Sequence, residues 1–204
     1  MLHLPVMLER SLSALDTIFT RRSVRAYQPR KIDDDTIRSL LDAAVQAPTA
    51  VHMEPWAFVV VQDEALLHRY SEAAKKSWLR ESANYEALHV PHAGRGFAAR
   101  AADPAFSIFH NAGTLIVICA KPLGPFVEAD CWLAAENLML AACALGLGTC
   151  CIGSSLPVLN TAEAKAELDI PADVTPVVAI VVGIPAGPSP DVPRKTPDVL
   201  SWKK

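Results

Sequence analysis

The chain has 204 residues, a length that suits one domain. Hydrophobic residues make up 51% and charged residues 20%, which excludes disorder as the main state. Nineteen basic and 22 acidic side chains leave a net charge of -3, so no basic excess points to a nucleic-acid groove.

The five cysteines (Cys119, Cys131, Cys143, Cys150, Cys151) are odd in number, form no C-x-x-C pair and lie in apolar stretches. That pattern reads as reduced, buried thiols in a cytoplasmic protein. Glu9 and Arg10 come early and no long apolar run precedes them, so no signal peptide is expected. The apolar stretch from Trp132 is interrupted by Glu136 and Asn137, and the apolar run beyond Asn137 is shorter than the ~20 residues of a membrane span.

In chain order, Leu12, Leu15, Ile18 and Phe19 stand at helical spacing. Ile37, Leu40, Leu41, Ala44 and Val45 form a clearer stripe, with Asp33 as N-cap and Pro48 as the stop. Phe58–Val61 reads as a buried strand. Asp63 then caps a helix with Leu66, Leu67, Tyr70, Ala73, Ala74 and Trp78 on one face. Residues 80–110 lack a clean period and are read as an excursion or lid.

Thr114–Ala120 is a strand. Ala129–Leu147 is a helix apolar nearly all round, which implies burial on most faces or a subunit interface. Thr149–Ile152 is extended, and Asn160 with Glu163 resembles a capping box for a short helix. Val177–Ile184 is a central strand. Five prolines from Pro185 on make residues 185–204 an extended arm. Alternating strands and helices give one domain over 1–204, layered around a single sheet.

Several common motifs fail. Gly94-Arg95-Gly96-Phe97-Ala98-Ala99 fits G-x-G-x-x-A, but no strand leads into it. No P-loop, no H-E-x-x-H and no clustered His/Cys ligand set is present, so no metal is expected. Cys150 or Cys151 as a nucleophile would need a histidine base that sequence cannot place. Both read better as small packing residues.

Arg21-Arg22-Ser23-Val24-Arg25 carries more information. Three guanidinium groups and a hydroxyl within five residues suit a phosphate, because arginine binds its oxygens bidentately. Taken alone, such a run also reads as a solvated segment past a helix C-terminus. Arg194-Lys195, in the proline arm, could reach the same anion. Pro48-Thr49-Ala50-Val51-His52-Met53-Glu54-Pro55 is a proline-bounded loop with polar groups that could edge a planar heterocycle. Gly146–Gly153 ends the apolar helix with glycines that permit a left-handed exit and close backbone approach.

Four segments in this order resemble the nitroreductase family of FMN-dependent oxidoreductases: Arg21–Tyr27, Ala47–Trp56, Gly146–Gly153 and Arg194–Trp202. The resemblance covers almost the whole chain. It implies an α+β fold, with a central mixed or antiparallel sheet flanked by helices and an extended C-terminal arm. It also implies an intertwined homodimer with FMN at the subunit interface. By the same resemblance, Arg21, Arg22, Ser23 and Arg25 hold the phosphate and ribityl end, joined by Arg194 and Lys195. Pro48, Thr49 and Ala50 line the isoalloxazine from the partner subunit, with His52 beside them. The backbone of Cys151, Ile152 and Gly153 approaches the flavin ring. Two departures stand out: His52 where the family commonly has Asn, and Glu54 where it has Gln. A buried Glu54 would need a partner such as an arginine.

The activity so implied is ping-pong transfer from NAD(P)H to nitroaromatic, quinone or similar electron-poor acceptors, with the chemistry carried by FMN and no catalytic side chain. Trp78, Tyr85, Phe97, Phe106 and Phe109 are candidates for the acceptor side. Two alternatives stay open: a specialised flavoenzyme (a reductive dehalogenase or flavin-consuming oxidase) and a non-catalytic FMN-binding protein.

Overall fold

The structure is a computed structural model and describes residues 12–87 and 99–204, with 81–87 as backbone only. Four strands form one antiparallel sheet in the order β1-β2-β4-β3: β1 Trp56–Val61, β2 Thr114–Ala120, β3 Gly148–Cys151 and β4 Thr175–Gly183. β2 and β4 are central and covered on both faces, which is why each reads as a continuous apolar run instead of an alternation.

Successive strand residues point to opposite faces and so divide the interior into two layers. Ile116, Ile118, Val178, Ile180 and Val182 face helices α2 (Asp34–Ala44) and α4 (Val127–Ala144). Leu115, Val117, Ala179 and Val181 face α3 (Glu64–Ala87), the 108–112 segment, and the short helices α5 (Leu156–Leu159) and α6 (Ala162–Glu167).

Local chemistry sets the helix ends. Asp33 Oδ1 accepts the Thr36 N–H at 2.8 Å, and Asp63 Oδ1 accepts that of Leu66 at 2.8 Å, so both expected caps are present. At α6 the cap is Thr161, whose Oγ1 accepts from Ala164 N. Asn160 instead donates its side-chain amide to Leu156 O and Pro176 O, which corrects the expected capping box by one residue. α4 exits through Gly146 at φ +74°, the left-handed geometry expected there.

Two helices carry apolar side chains that the single chain leaves exposed. Helix α1 (Ala14–Thr20) exists, capped by Ser13 and Asp16, but its apolar stripe faces outward: Leu15 is 66% and Phe19 73% exposed. Helix α4 buries Cys131, Ala134, Ala135, Leu138 and Ala142 against the sheet, yet leaves Trp132 and Leu133 half exposed. Burial is therefore one-sided in the single chain.

Helix α3 continues to Ala87, well past the start of the expected excursion. Residues 88–98, with the glycine pair Gly94 and Gly96, lie outside the described residues. Where the chain resumes, buried Lys75 of α3 pins it down. Its Nζ pairs with Glu72 at 2.6 Å and donates to Phe106 O at 2.9 Å and Asp103 O at 3.3 Å. Beyond Pro185 the arm forms no helix or strand and is exposed over most of its length.

Candidate functional site

The arginine segment is stitched to the sheet edge. Ser23 bridges Thr149 of β3 in parallel, and Val24 N donates to Thr149 O at 2.9 Å. Four residues on, Tyr27 bridges Pro185, and Ala186 N donates to Ala26 O at 2.9 Å. The segment thus lies between β3 and the chain leaving β4. The fit is close: a Cβ on Gly148 would stand 2.6 Å from Val24 Cγ2, and one on Gly183 2.9 Å from the Tyr27 ring. Burial pushes the Tyr27 phenol up, and its hydroxyl donates to Val24 O at 2.8 Å.

This stitching opens a cleft of about 680 Å³ between residues 22–26 and the start of the arm, with Arg22, Ser23, Arg25 and Arg194 in its walls. Arg22 is oriented before any ligand arrives. One terminal nitrogen donates to Phe19 O (2.7 Å) and Arg21 O (2.9 Å), and the other meets Asp191 Oδ1 at 3.0 Å. Its Nε is buried and has no hydrogen-bond partner among the described residues. A buried N–H of a cation without an acceptor is costly, so it marks a place for an anionic oxygen. Arg21 turns the other way and pairs with Glu136 of α4 at 3.5 Å.

The 48–55 loop occupies a different surface. Ala50–His52 form one 3-10 turn, with Val51 at φ +44° and His52 at φ +61°, and Glu54 follows at φ +46°. Non-glycine residues in this region cost on the order of 1–3 kcal/mol each and persist only where surroundings impose them. The turn is tied to α4 by Asp130, whose Oδ1 accepts the Ala50 N–H at 3.1 Å. His52 and Glu54 are exposed.

The family model for the nitroreductase family matches residues 18–184. A protein of Archaeoglobus fulgidus, provisionally named NADH dehydrogenase/NAD(P)H nitroreductase, is 30% identical over 176 residues, 84% of each chain. The chain belongs to the nitroreductase family. A Bacteroides fragilis nitroreductase solved with bound FMN superposes with a TM-score of 0.73 at 25% identity, covering 94% of this chain and 98% of that one. Iodotyrosine deiodinase of Danio rerio is 36% identical over 80 residues, 39% of this chain and 26% of that protein.

In this chain the structure brings Arg22, Ser23, Arg25 and Arg194 to one cleft, but does not place Lys195 in its wall. Pro48, Thr49, Ala50 and His52 do not reach that cleft within one chain. Of the third group, Ile152 is turned inward: its side chain is buried and its N–H is already given to Ala179 O at 2.8 Å. Gly153 is exposed, with nothing within 4 Å of where a Cβ would stand, so a ligand could approach its backbone. Glu54 pairs with no arginine among the described residues. Phe109, a candidate for the acceptor side, is 1% exposed and belongs to the core. Phe106 carries the Arg100 guanidinium 4.4 Å from its ring centroid, while the side chains of Tyr85 and Phe97 lie outside the described residues.

The cysteines are free. Burial pushes Cys131 up to about 12 and Cys119 and Cys151 up to about 11, and also raises Cys150. Thiols held protonated in this way are poor nucleophiles. No group of three or more His, Cys, Asp or Glu fit for a metal occurs among the described residues. None of the described helices is long and apolar enough to cross a membrane.

Sequence reasoning missed three carboxylates: Asp130, Asp191 and Glu136. Each sits far in sequence from its partner, but Asp130 and Glu136 left a signal, since with Glu128 they are the charges of a helix otherwise apolar.

Proposed function

We propose that this chain, an FMN-dependent oxidoreductase of the nitroreductase family, transfers electrons from NAD(P)H to nitroaromatic, quinone or similar electron-poor acceptors. Donor and acceptor bind in turn, one leaving before the other enters. The observation that carries the reading is the cationic cleft that gathers Arg22, Ser23, Arg25 and Arg194. It fits a phosphate ester of FMN's kind.

FMN, when bound, supplies the two-electron chemistry. The chain's residues supply position. Arg22 offers Nε and one terminal nitrogen to the phosphate, with Arg25, Arg194 and the Ser23 hydroxyl around it. Arg21 contributes positive charge while anchored to Glu136. Pro48, Thr49, Ala50 and His52 edge the ring of the flavin held by the other subunit. The open backbone at Gly153 lets the ring lie close.

A homodimer is part of this proposal. Three features support it: the outward apolar stripe of α1, half-exposed Trp132 and Leu133 on α4, and the exposed Val51. Helix α1 rides on α4, with Thr20 Oγ1 3.8 Å from Cys143 Sγ, so both members of one helix pair leave apolar side chains exposed. It also lies beside the loop that the cleft of the same chain does not reach.

The test is a visible spectrum of purified protein, repeated anaerobically after NADPH and then NADH. Bleaching of a flavin band by either nucleotide is the expected result. A flavin band that stays oxidised would favour the dehalogenase branch suggested by the partial deiodinase match, or a binding protein. No flavin band, even after FMN is supplied, would overturn the proposal.

A further inference from the structure

We propose that Asp130 is a positioning residue that holds the 48–54 loop in its flavin-facing shape. The inference rests on reading that loop as the edge of the flavin pocket. Asp130 is 4% exposed, yet it forms no ion pair with a lysine, arginine or histidine among the described residues. An uncompensated buried carboxylate is costly and needs a reason.

The helix dipole is not enough. Asp130 lies in the first turn of α4, where an acid is favoured, but exposed Glu128 serves that purpose without burial. What burial adds is reach into the loop. Asp130 Oδ1 accepts the Ala50 N–H at 3.1 Å, across 80 residues of sequence.

That contact falls where the loop needs it. Its internal bonds are long: His52 N to Thr49 O at 3.3 Å, Met53 N to Ala50 O at 3.2 Å, Glu54 N to Thr49 Oγ1 at 3.4 Å. Bonds at the long end of the range add little to hold Val51, His52 and Glu54 in left-handed backbone, so a tie from outside the loop matters. Asp130 is, among the described residues, the side chain outside the loop that bonds its backbone. An acceptor on a rigid helix fixes Ala50, and the turn carrying His52 starts from there. Such preorganisation raises affinity by removing ordering cost on binding.

Three variants test this. Asp130→Ala deletes the acceptor, Asp130→Asn keeps a carbonyl oxygen in its place, and Ala50→Pro deletes the donor. The residue before Ala50, Thr49, is at φ -130° and ψ 151°, which a following proline accepts. Amide exchange of His52 and Met53 is read in the apoprotein, and FMN affinity by quenching of flavin fluorescence.

Exchange at His52 and Met53 should speed at least about tenfold in Asp130→Ala and Ala50→Pro, and FMN affinity should fall by about the same factor. Sheet amides should stay protected. Asp130→Asn should remain within about threefold of the parent in both. Unchanged loop exchange and FMN affinity in Asp130→Ala would overturn the proposal, as would equal losses in Asp130→Asn and Asp130→Ala. If Asp130→Ala does not fold, Ala50→Pro with parental exchange and affinity overturns it from the donor side. A parent protein that binds no FMN would instead strike the flavin reading, leaving the exchange result to judge the loop.

Discussion

Arg22 grips Asp191 at 3.0 Å through one terminal nitrogen while its buried Nε has no partner among the described residues. The guanidinium is thus half engaged. Its other terminal nitrogen is fixed by Phe19 O and Arg21 O, so the free donor points in one set direction. A fork held this way recognises phosphate by geometry as well as charge.

Arg22→Ala should raise the FMN dissociation constant about 10- to 100-fold, the value of one or two charge-assisted hydrogen bonds. Arg22→Lys should fall between, because a point charge keeps the attraction and loses the fork. Neither should change far-UV circular dichroism. Equal FMN affinity in Arg22→Ala and the parent would remove Arg22 from the site.

Asp191 competes for the same guanidinium. It is almost fully exposed, so its pair with Arg22 is worth only ~0–1 kcal/mol. Asp191→Asn should tighten FMN binding up to about fivefold at low salt, and the gain should shrink toward 0.5 M salt as screening removes it. Weaker binding in Asp191→Asn would show that the arm carboxylate supports the site and does not oppose the phosphate.

Gly148 sets the distance between β3 and the arginine segment. An added Cβ would meet Val24 Cγ2 at 2.6 Å and Val24 Cβ at 2.7 Å, too near for the segment to stay in place. Gly148→Ala should destabilise the protein by ~1–3 kcal/mol in denaturant titrations, as overpacking does. It should also weaken FMN binding, because the bond from Val24 N to Thr149 O at 2.9 Å holds the cleft wall. Parental values of both would mean that Val24 moves aside freely.

Legibility in the sequence followed the range of each interaction. β2, β4 and α2 were readable because apolar runs and caps such as Asp33 are local. The cap of α6 is Thr161 and not Asn160, since both can cap and the distant bond from Asn160 to Pro176 O turns the Asn160 side chain away from the helix start. The stripe of α1 was visible, but periodicity tells that a face is apolar and not what covers it. The tie of Asp130 to Ala50 spans 80 residues and that of Arg22 to Asp191 spans 169. No local pattern encodes either. The arginine cluster was legible as an anion site because three guanidinium groups fall in five residues. Which direction each one takes was not.

The outward face of α1 gives a sharp test of assembly. Phe19 is 73% exposed, so Phe19→Glu should not disturb the folded chain. If α1 and α4 form the subunit contact, the variant should sediment as a monomer at micromolar concentration and lose FMN affinity with it. A parent that is itself monomeric while holding FMN would reject the two-subunit site.

His110 should leave a pH signature. Burial, then the positive charges of Arg100 and Arg25, pushes its imidazole down to about 4. Its ring lies against Phe106, with centroids 5.9 Å apart, and Phe106 in turn carries Arg100. In the unfolded chain the same group titrates near ~6.5. Between those values the unfolded chain binds a proton that the native protein refuses, so stability falls as pH falls from about 6.5 toward about 4. Above that window the contribution is fully present. Asparagine accepts the left-handed backbone at this position, φ +54°, and does not titrate. Urea midpoints of the parent and His110→Asn, measured from pH 7.5 to about 4.5, should therefore converge as the pH falls through the window. Curves that stay parallel throughout would show that His110 is protonated equally in both states.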